Sequence, residues 1–198
     1  MRELVIATTN EGKMREIRGL LKDLDIKITS LKDYPDAPKV IEDGKTFAQN
    51  ALKKAATIAI FTGKLTLGED SGLEVKALKN APGIFSARFS GENATDRKNN
   101  LKLIRSLKSV PQKKRQARYR CFAAIVDGKE IIDVCSGSCS GLIIDEYRGK
   151  NGFGYDPLFL IEKYNKTFGE LDPAIKAKIS HRAKAFQKVR RILENYWK

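Results

Sequence analysis

An α/β fold built on a central mixed sheet is what this chain predicts, and three features of the sequence predict it. Short runs rich in β-formers alternate with amphipathic helical stretches over the first third of the chain. Later, the pair Asp127-Gly128 joins two long β-rich runs, a strong hairpin signal. From Asp172 onward the spacing is helical again. Alternation favours parallel strands and a hairpin adds antiparallel ones, so the sheet is mixed.

The elements follow in order. Leu4 to Ala7 is a short apolar strand, "TTNEGK" breaks it with turn residues, and Met14, Ile17, Leu20, Leu21 and Leu24 then recur at helical spacing. "IKITSL" (26–31) alternates as a second strand. Thr46 to Thr62 is a helix, with Gly63 placed as its C-terminal stop. Leu65 to Leu67 and Leu73 to Val75 read as strand pieces on either side of an acidic corner, Glu69-Asp70. A polar-aromatic loop (80–94) leads to a helix that Thr95 caps, with Leu101, Ile104 and Leu107 facing inward. "RYRCFAAIVDGKEIIDVCSG" is the hairpin, and "SGLIIDE" continues its sheet. Asp172 before Pro173 starts a helix, and Ser180 caps a fresh one at His181, so the last segment is two helices with a bend. Ala183, Phe186, Val189, Leu193 and Trp197 share one face of the second.

At 198 residues and 41% hydrophobic content the chain is long enough for a real core, and a single domain spanning 1–198 is the expectation. Neither "KDYPDAPK" (32–39) nor "KSVPQKKRQ" (108–116) is longer than an ordinary loop, and repeats are absent. The start, "MRELVIATTN", has neither a secretory apolar region nor a membrane span, which argues for a cytoplasmic protein. Cys121, Cys135 and Cys139 lack zinc-like spacing and have one histidine in the chain to help them, so they read as reduced core residues. Lys and Arg number 38 against 24 Asp and Glu, a formal +14 that favours anionic partners without naming one.

Five groups of residues could carry chemistry. Adjacent carboxylates at Glu69 and Asp70, at the end of an apolar stretch, are either a surface turn or a site that holds something positive, since a buried acid needs compensation. The loop Thr8, Thr9, Asn10, Glu11, Gly12 and Lys13 offers backbone amides and a lysine at a helix N-terminus, a place for phosphate. It is not a Walker A loop, which needs Gly and Ser or Thr where this chain has Ala7 and Met14. Lys54 falls on the face of its helix shared by Phe47, Ala51, Ile58 and Phe61, with Asn50 close beside them; its amine either snorkels to water or serves an anion in a cleft. Glu42-Asp43 stabilises a helix start, and Glu42 could also join Asp70 in holding Mg²⁺. "GFGYDP" can lay a ring against a flat ligand or simply turn over the core. His181 has no evident nucleophile partner, so a triad has little support.

Taken together, "ATTNEGKMREI", "EDGKTFAQNALKKA", "EDSGLEV", "APGIFSARFSGENATD", "NGFGYDPLF" and "KAKISHRAKA" resemble, in order and over nearly the whole chain, the Ham1-like inosine/xanthosine triphosphate pyrophosphatases. That resemblance implies an elongated mixed sheet flanked by helices in two lobes with an active-site cleft between them, a homodimer, and Mg²⁺-dependent hydrolysis of ITP, dITP and XTP to monophosphate and pyrophosphate. It implies triphosphate contacts from Thr8 to Lys13 and from Lys54, and Mg²⁺ held by Glu42 and Asp70. Asp70 would also accept the proton of the attacking water, with Glu69 assisting. Further substrate contacts would come from Ser71, Phe153, Gly154, Tyr155, Asp156, Lys176, His181 and Arg182, the last group around the base.

Two rivals make different predictions. A nucleic-acid module using "QKKRQARYR" would bind polynucleotide with steep salt dependence. A Maf-type pyrophosphatase would act on canonical or modified pyrimidine substrates, and the "SHR" and "GFGYDP" motifs argue against it. The resemblance therefore implies neither a stable nucleic-acid partner nor a membrane.

Overall fold

A computed structural model of the chain describes residues 2–198. In chain order the elements are β1 (Glu3–Ile6), α1 (Glu11–Leu21), β2 (Lys27–Ser30), α2 (Phe47–Thr62), β3 (Thr66–Val75) and α3 (Asp96–Ser106). There follow β4 (Gln116–Asp127), β5 (Glu130–Ile143), β6 (Phe159–Ile161), β7 (Lys166–Thr167), α4 (Pro173–Ile179) and α5 (His181–Tyr196). The strands form one mixed sheet in the order β2-β1-β3-β4-β5-β6-β7. The strand β1 runs parallel to β2 and β3, whereas β5, β6 and β7 pair antiparallel. The α/β fold with a mixed sheet is thus the fold observed.

The chain divides into two compact units. One comprises residues up to 70, 121–137 and 181–198. Its core sets Leu4, Ile6 and Leu67 of the sheet against Met14, Ile17 and Leu21 of α1 and Phe186, Val189 and Leu193 of α5. Each fully buried side chain of this size contributes roughly 1.5–3 kcal/mol. A second cluster stacks Ala51, Ala55 and Ala59 of α2 on Ala124 and Val126 of β4. Gly68 makes that close approach possible, because a Cβ there would stand 2.2 Å from the Ala51 carbonyl oxygen. The other unit comprises 71–120 and 138–180, with a core of Leu73, Leu103, Leu107, Tyr119, Phe159, Phe168 and Leu171.

The caps are those the sequence indicates: Thr46 accepts from Gln49 N–H, Gly63 closes α2, Thr95 accepts from Lys98 N–H, and Asp172 accepts from Ala174 N–H. Ser180 is extended between α4 and α5, which gives the expected bend. The three cysteines are buried and unbridged.

Four expectations need correction. The acidic pair is no corner: β3 runs unbroken through Glu69 and Asp70, because Gly68 seats the strand on the α2 backbone instead of turning. Helix α1 begins at Glu11, earlier than its apolar pattern, because Asn10 caps it by accepting from Lys13 N–H. Phe61 is exposed, since the buried face of α2 centres on the alanine stripe and Phe61 lies at its edge. Leu101 is exposed as well, because the buried side of α3 is polar, carrying Asn99 and Asn100 beside Leu103.

Candidate active site

Strand β3 carries Glu69 and Asp70 into the first unit, where both are buried. Glu69 is 1% exposed, a burial that a lone carboxylate would not survive ionised. It does not stand alone. The ammonium of Lys13, in the first turn of α1, lies 2.8 Å from its Oε2, and Arg182, in the first turn of α5, donates to its Oε1 at 3.0 Å. The Cys121 thiol also donates to Oε1 at 3.2 Å. Arg182 donates in addition to Glu16 of α1.

These charges set the protonation states. Burial alone would raise the Glu69 pKa, but the charges of Arg182 and Lys13 prevail and hold it well below the usual carboxylate range. Burial disfavours the Lys13 ammonium too, yet Glu69 and Asp70 raise its pKa. Asp70 behaves differently. Burial raises its pKa, and the nearby Lys54 and Lys13 charges offset that only in part, with Glu42 adding to the rise.

Around Asp70 the partners come from α2 and the loop before it. Lys54 Nζ lies 3.1 Å from Glu42 Oε2 and 3.9 Å from Asp70 Oδ1, so the two carboxylates converge on one ammonium. Asn50 Nδ2 donates to Asp70 Oδ2 at 3.0 Å. Lys54 does not reach out to water: it is buried and pairs with acids.

Two oxygen-bearing side chains facing the same point suit a hard divalent cation, which takes carboxylate, water and phosphate oxygens. Among the described residues no group of three or more His, Cys, Asp and Glu is placed to hold a metal, so such an ion would draw its remaining donors from water and ligand. Glu42 and Asp70 therefore fit Mg²⁺.

The second unit gathers the other expected residues. Lys176 donates to Asp156 Oδ2 at 2.6 Å and lies over the Phe153 and Phe168 rings, 5.4 Å from each centroid. Phe153 N–H donates to the same Asp156 oxygen at 2.8 Å. Helix α3 holds Gly154 through the peptide groups on both sides of it: Gly154 N–H donates to Asp96 at 2.7 Å, and Asn100 Nδ2 donates to the Gly154 carbonyl at 2.9 Å. The Tyr155 hydroxyl donates to the Ser86 carbonyl at 2.8 Å. An aromatic ring beside an ammonium–carboxylate pair can receive a flat polar heterocycle.

Of the expected residues, Glu42, Lys54, Glu69, Asp70, Lys13 and Arg182 come together in the first unit, and Phe153, Gly154, Tyr155, Asp156 and Lys176 in the second. Thr8, Thr9, Asn10, Glu11 and Gly12 lead from β1 into α1, with Thr8 Oγ1 accepting from Asn10 N–H. Ser71 follows Asp70 in β3, and His181 is buried at the start of α5. Arg182, expected near a base, has both terminal nitrogens on Glu16 and Glu69. Sequence reasoning passed over Glu16, Asn50, Asp96, Asn100 and Cys121 as site residues. Only Asn50 had a signal, its place beside Lys54 on one helix face.

The chain is similar to known proteins over nearly its whole length. The Ham1 family model matches residues 4–192. A curated dITP/XTP pyrophosphatase from Desulforamulus reducens is 50% identical over 195 residues, covering 98% of this chain and 97% of that protein. One from Geobacter sulfurreducens is 49% identical over 185 residues, 93% of each. A solved HAM1 protein from Coxiella burnetii superposes with a TM-score of 0.89 at 39% identity, covering 98% of this chain and all of that one. The Staphylococcus aureus Ham1 protein gives 0.86 at 37% identity over 98% of this chain and 100% of its own. With so nearly complete a match to the family model and to its solved structures, this chain belongs to the Ham1 family.

Proposed function

We propose that the chain is a nucleoside triphosphate pyrophosphatase, one catalytic domain over residues 1–198, that hydrolyses dITP, ITP and XTP to the monophosphate and pyrophosphate. The observation that carries the reading is the convergence of Glu42 and Asp70 on Lys54, beside a Glu69 locked by Lys13 and Arg182, in a chain half identical to a dITP/XTP pyrophosphatase.

Each residue has a task in that reaction. Thr8 to Lys13 and Lys54 bind the triphosphate, whose near fourfold negative charge slows attack by water until it is neutralised. Glu42 and Asp70 hold Mg²⁺, which supplies Lewis-acid neutralisation of the phosphate oxygens. Asp70 takes the proton as water attacks the α-phosphorus, and the bond to the β-phosphate oxygen breaks to release pyrophosphate. Glu69 holds Lys13 in place and assists. Phe153, Gly154, Tyr155, Asp156 and Lys176 receive the purine, and Lys176 offers a donor that a 6-oxo group accepts and a 6-amino group does not. Ser71, His181 and Arg182 complete the substrate contacts, Arg182 through Glu69.

The nucleic-acid alternative would use the basic segment 112–120. Arg118 and Arg120 of the basic segment pair with Glu74, and Arg115 with Asp145, so those cations are engaged within the fold. Among the described residues no helix is long and apolar enough to cross a membrane. A cytoplasmic homodimer without a stable nucleic-acid partner completes the proposal, resting on the family resemblance.

The test is a panel of nucleoside triphosphates with Mg²⁺, scored for pyrophosphate against orthophosphate. Pyrophosphate from dITP, ITP and XTP, with ATP far slower, is expected. Equal rates on ATP and ITP would overturn the specificity, and orthophosphate as first product would overturn the reaction.

A further inference from the structure

We infer that Asn50 is a positioning residue that sets the spacing of the two carboxylates proposed to hold the cation, an inference that rests on the reading of Glu42 and Asp70 above. Asn50 is fully buried on α2, and the two ends of its amide face different partners. Its Nδ2 donates to Asp70 Oδ2 at 3.0 Å, while its Oδ1 accepts from Gly44 N–H at 2.8 Å. Gly44 is two residues from Glu42 on the loop before α2. One side chain therefore ties the strand that carries Asp70 to the loop that carries Glu42.

The chemistry of the link demands an amide. One end must donate to a carboxylate and the other must accept from a backbone N–H, a combination that Asp, Leu and Ser cannot reproduce at that reach. Aspartate would set a second negative charge against Asp70, and leucine would leave both partners without this bond in a buried place. The loop is also pressed close: a Cβ on Gly44 would meet Asn50 Oδ1 at 2.6 Å and Gln49 Cβ at 2.9 Å.

Lys54 lies one turn further along the same helix, so Asn50 and Lys54 share a face. Their grips differ in kind. The ammonium attracts both carboxylates over 3.1 and 3.9 Å and tolerates displacement, whereas the amide fixes direction as well as distance. A small cation that demands a near-ideal oxygen shell needs the second kind of restraint.

The experiment measures uptake of Mn²⁺ by nucleotide-free protein through its electron spin resonance signal, for wild type, Asn50→Ser, Gly44→Ala and Glu42→Gln. Asn50→Ser and Gly44→Ala are each expected to weaken Mn²⁺ binding by about 10–100-fold, the usual cost of losing a residue that orients a metal ligand. At saturating Mg²⁺ their KM for dITP should change less than kcat. Should Asn50→Ser fail to fold, Gly44→Ala decides, since it displaces the amide without altering a charge. Wild-type affinity in the variants that fold would overturn the positioning role. A wild type that takes up no Mn²⁺, or a Glu42→Gln protein that takes it up unchanged, would instead overturn the metal reading and this inference with it.

Discussion

Replacing Glu69 by glutamine removes one charge from a deeply buried ion cluster while keeping the shape of the side chain. The carboxylate lies 2.8 Å from Lys13 Nζ and 3.0 Å from Arg182 Nη2, and it is closed off from water. Removing one partner of a buried pair costs about 3–5 kcal/mol, because the opposite charge is left uncompensated. Arg182 would still have Glu16, but Lys13 would lose the carboxylate 2.8 Å from its ammonium, so the cost falls within that range and not beyond it. In a chain of this size each kcal/mol moves the melting midpoint by about 2–4 °C, which puts the expected fall at about 6–20 °C. The pH dependence has a definite sign. Burial would raise the Glu69 pKa, yet Arg182 and Lys13 lower it well below the ordinary carboxylate value. Its contribution is therefore fully present above about pH 4.3 and is lost as pH falls toward the lower folded value. Urea unfolding followed by circular dichroism at pH 7 and pH 3 measures both effects. A difference below about 1 kcal/mol at pH 7, or a gap that widens on acidification, would refute the account.

Other perturbations probe the remaining contacts. Asp70→Asn should lower kcat on dITP by about 10²–10⁴-fold with an unchanged circular dichroism spectrum; near-normal turnover would remove Asp70 from the mechanism. Asn100→Asp turns a donor to the Gly154 carbonyl into an acceptor and should raise KM for dITP about fivefold, the worth of roughly 1 kcal/mol; an unchanged KM would show that the Gly154 peptide does not need this bond. Burial pushes the Cys135 thiol up to about 11, and burial with the Glu69 charge raises Cys121 well above the usual thiol range. Iodoacetamide at pH 8 should thus spare both thiols in the folded protein and label them on unfolding, and rapid native labelling would contradict that. Removing divalent cations with EDTA should abolish nucleotide binding as well as turnover, as equilibrium dialysis with radiolabelled dITP would measure; full binding without metal would confine the ion to the chemical step.

What the sequence made legible was local. The caps at Thr46, Thr95 and Asp172, the stop at Gly63 and the hairpin at Asp127-Gly128 each depend on a few neighbouring residues, and all appear in the fold. The errors arose where tertiary contact overrides local pattern. Glu69 and Asp70 look like turn residues in isolation, but their cations arrive from Lys13 in α1, Lys54 in α2 and Arg182 in α5. Apolarity alone turns Leu101 inward, whereas α3 buries Asn99 and Asn100 because loops supply them with backbone partners. No periodicity of hydrophobic residues can reveal a helix face that is buried through hydrogen bonds. The convergence of Glu42 and Asp70 was readable only as a possibility, since it depends on how a loop folds back over the start of α2.

The excess of +14 over the whole chain and the charge of the site have opposite signs. Among the described residues, the ion pairs around the acidic pair join Lys13, Lys54 and Arg182 to Glu16, Glu42, Glu69 and Asp70, three cations to four carboxylates. The surface surplus can draw a polyanion toward the protein, but this cluster by itself would resist a triphosphate. One divalent cation reverses the local balance. Under the proposed function the internal carboxylates would do two things at once: they would keep the buried cationic side chains fixed, and they would make acceptance of the anion conditional on the ion. A site made only of lysines and arginines would bind any polyphosphate tightly in either state. On that reading Glu69 and Asp70, side by side on one strand, divide the work: Lys13 and Arg182 fix Glu69, and Asp70 is the carboxylate proposed to meet the ion.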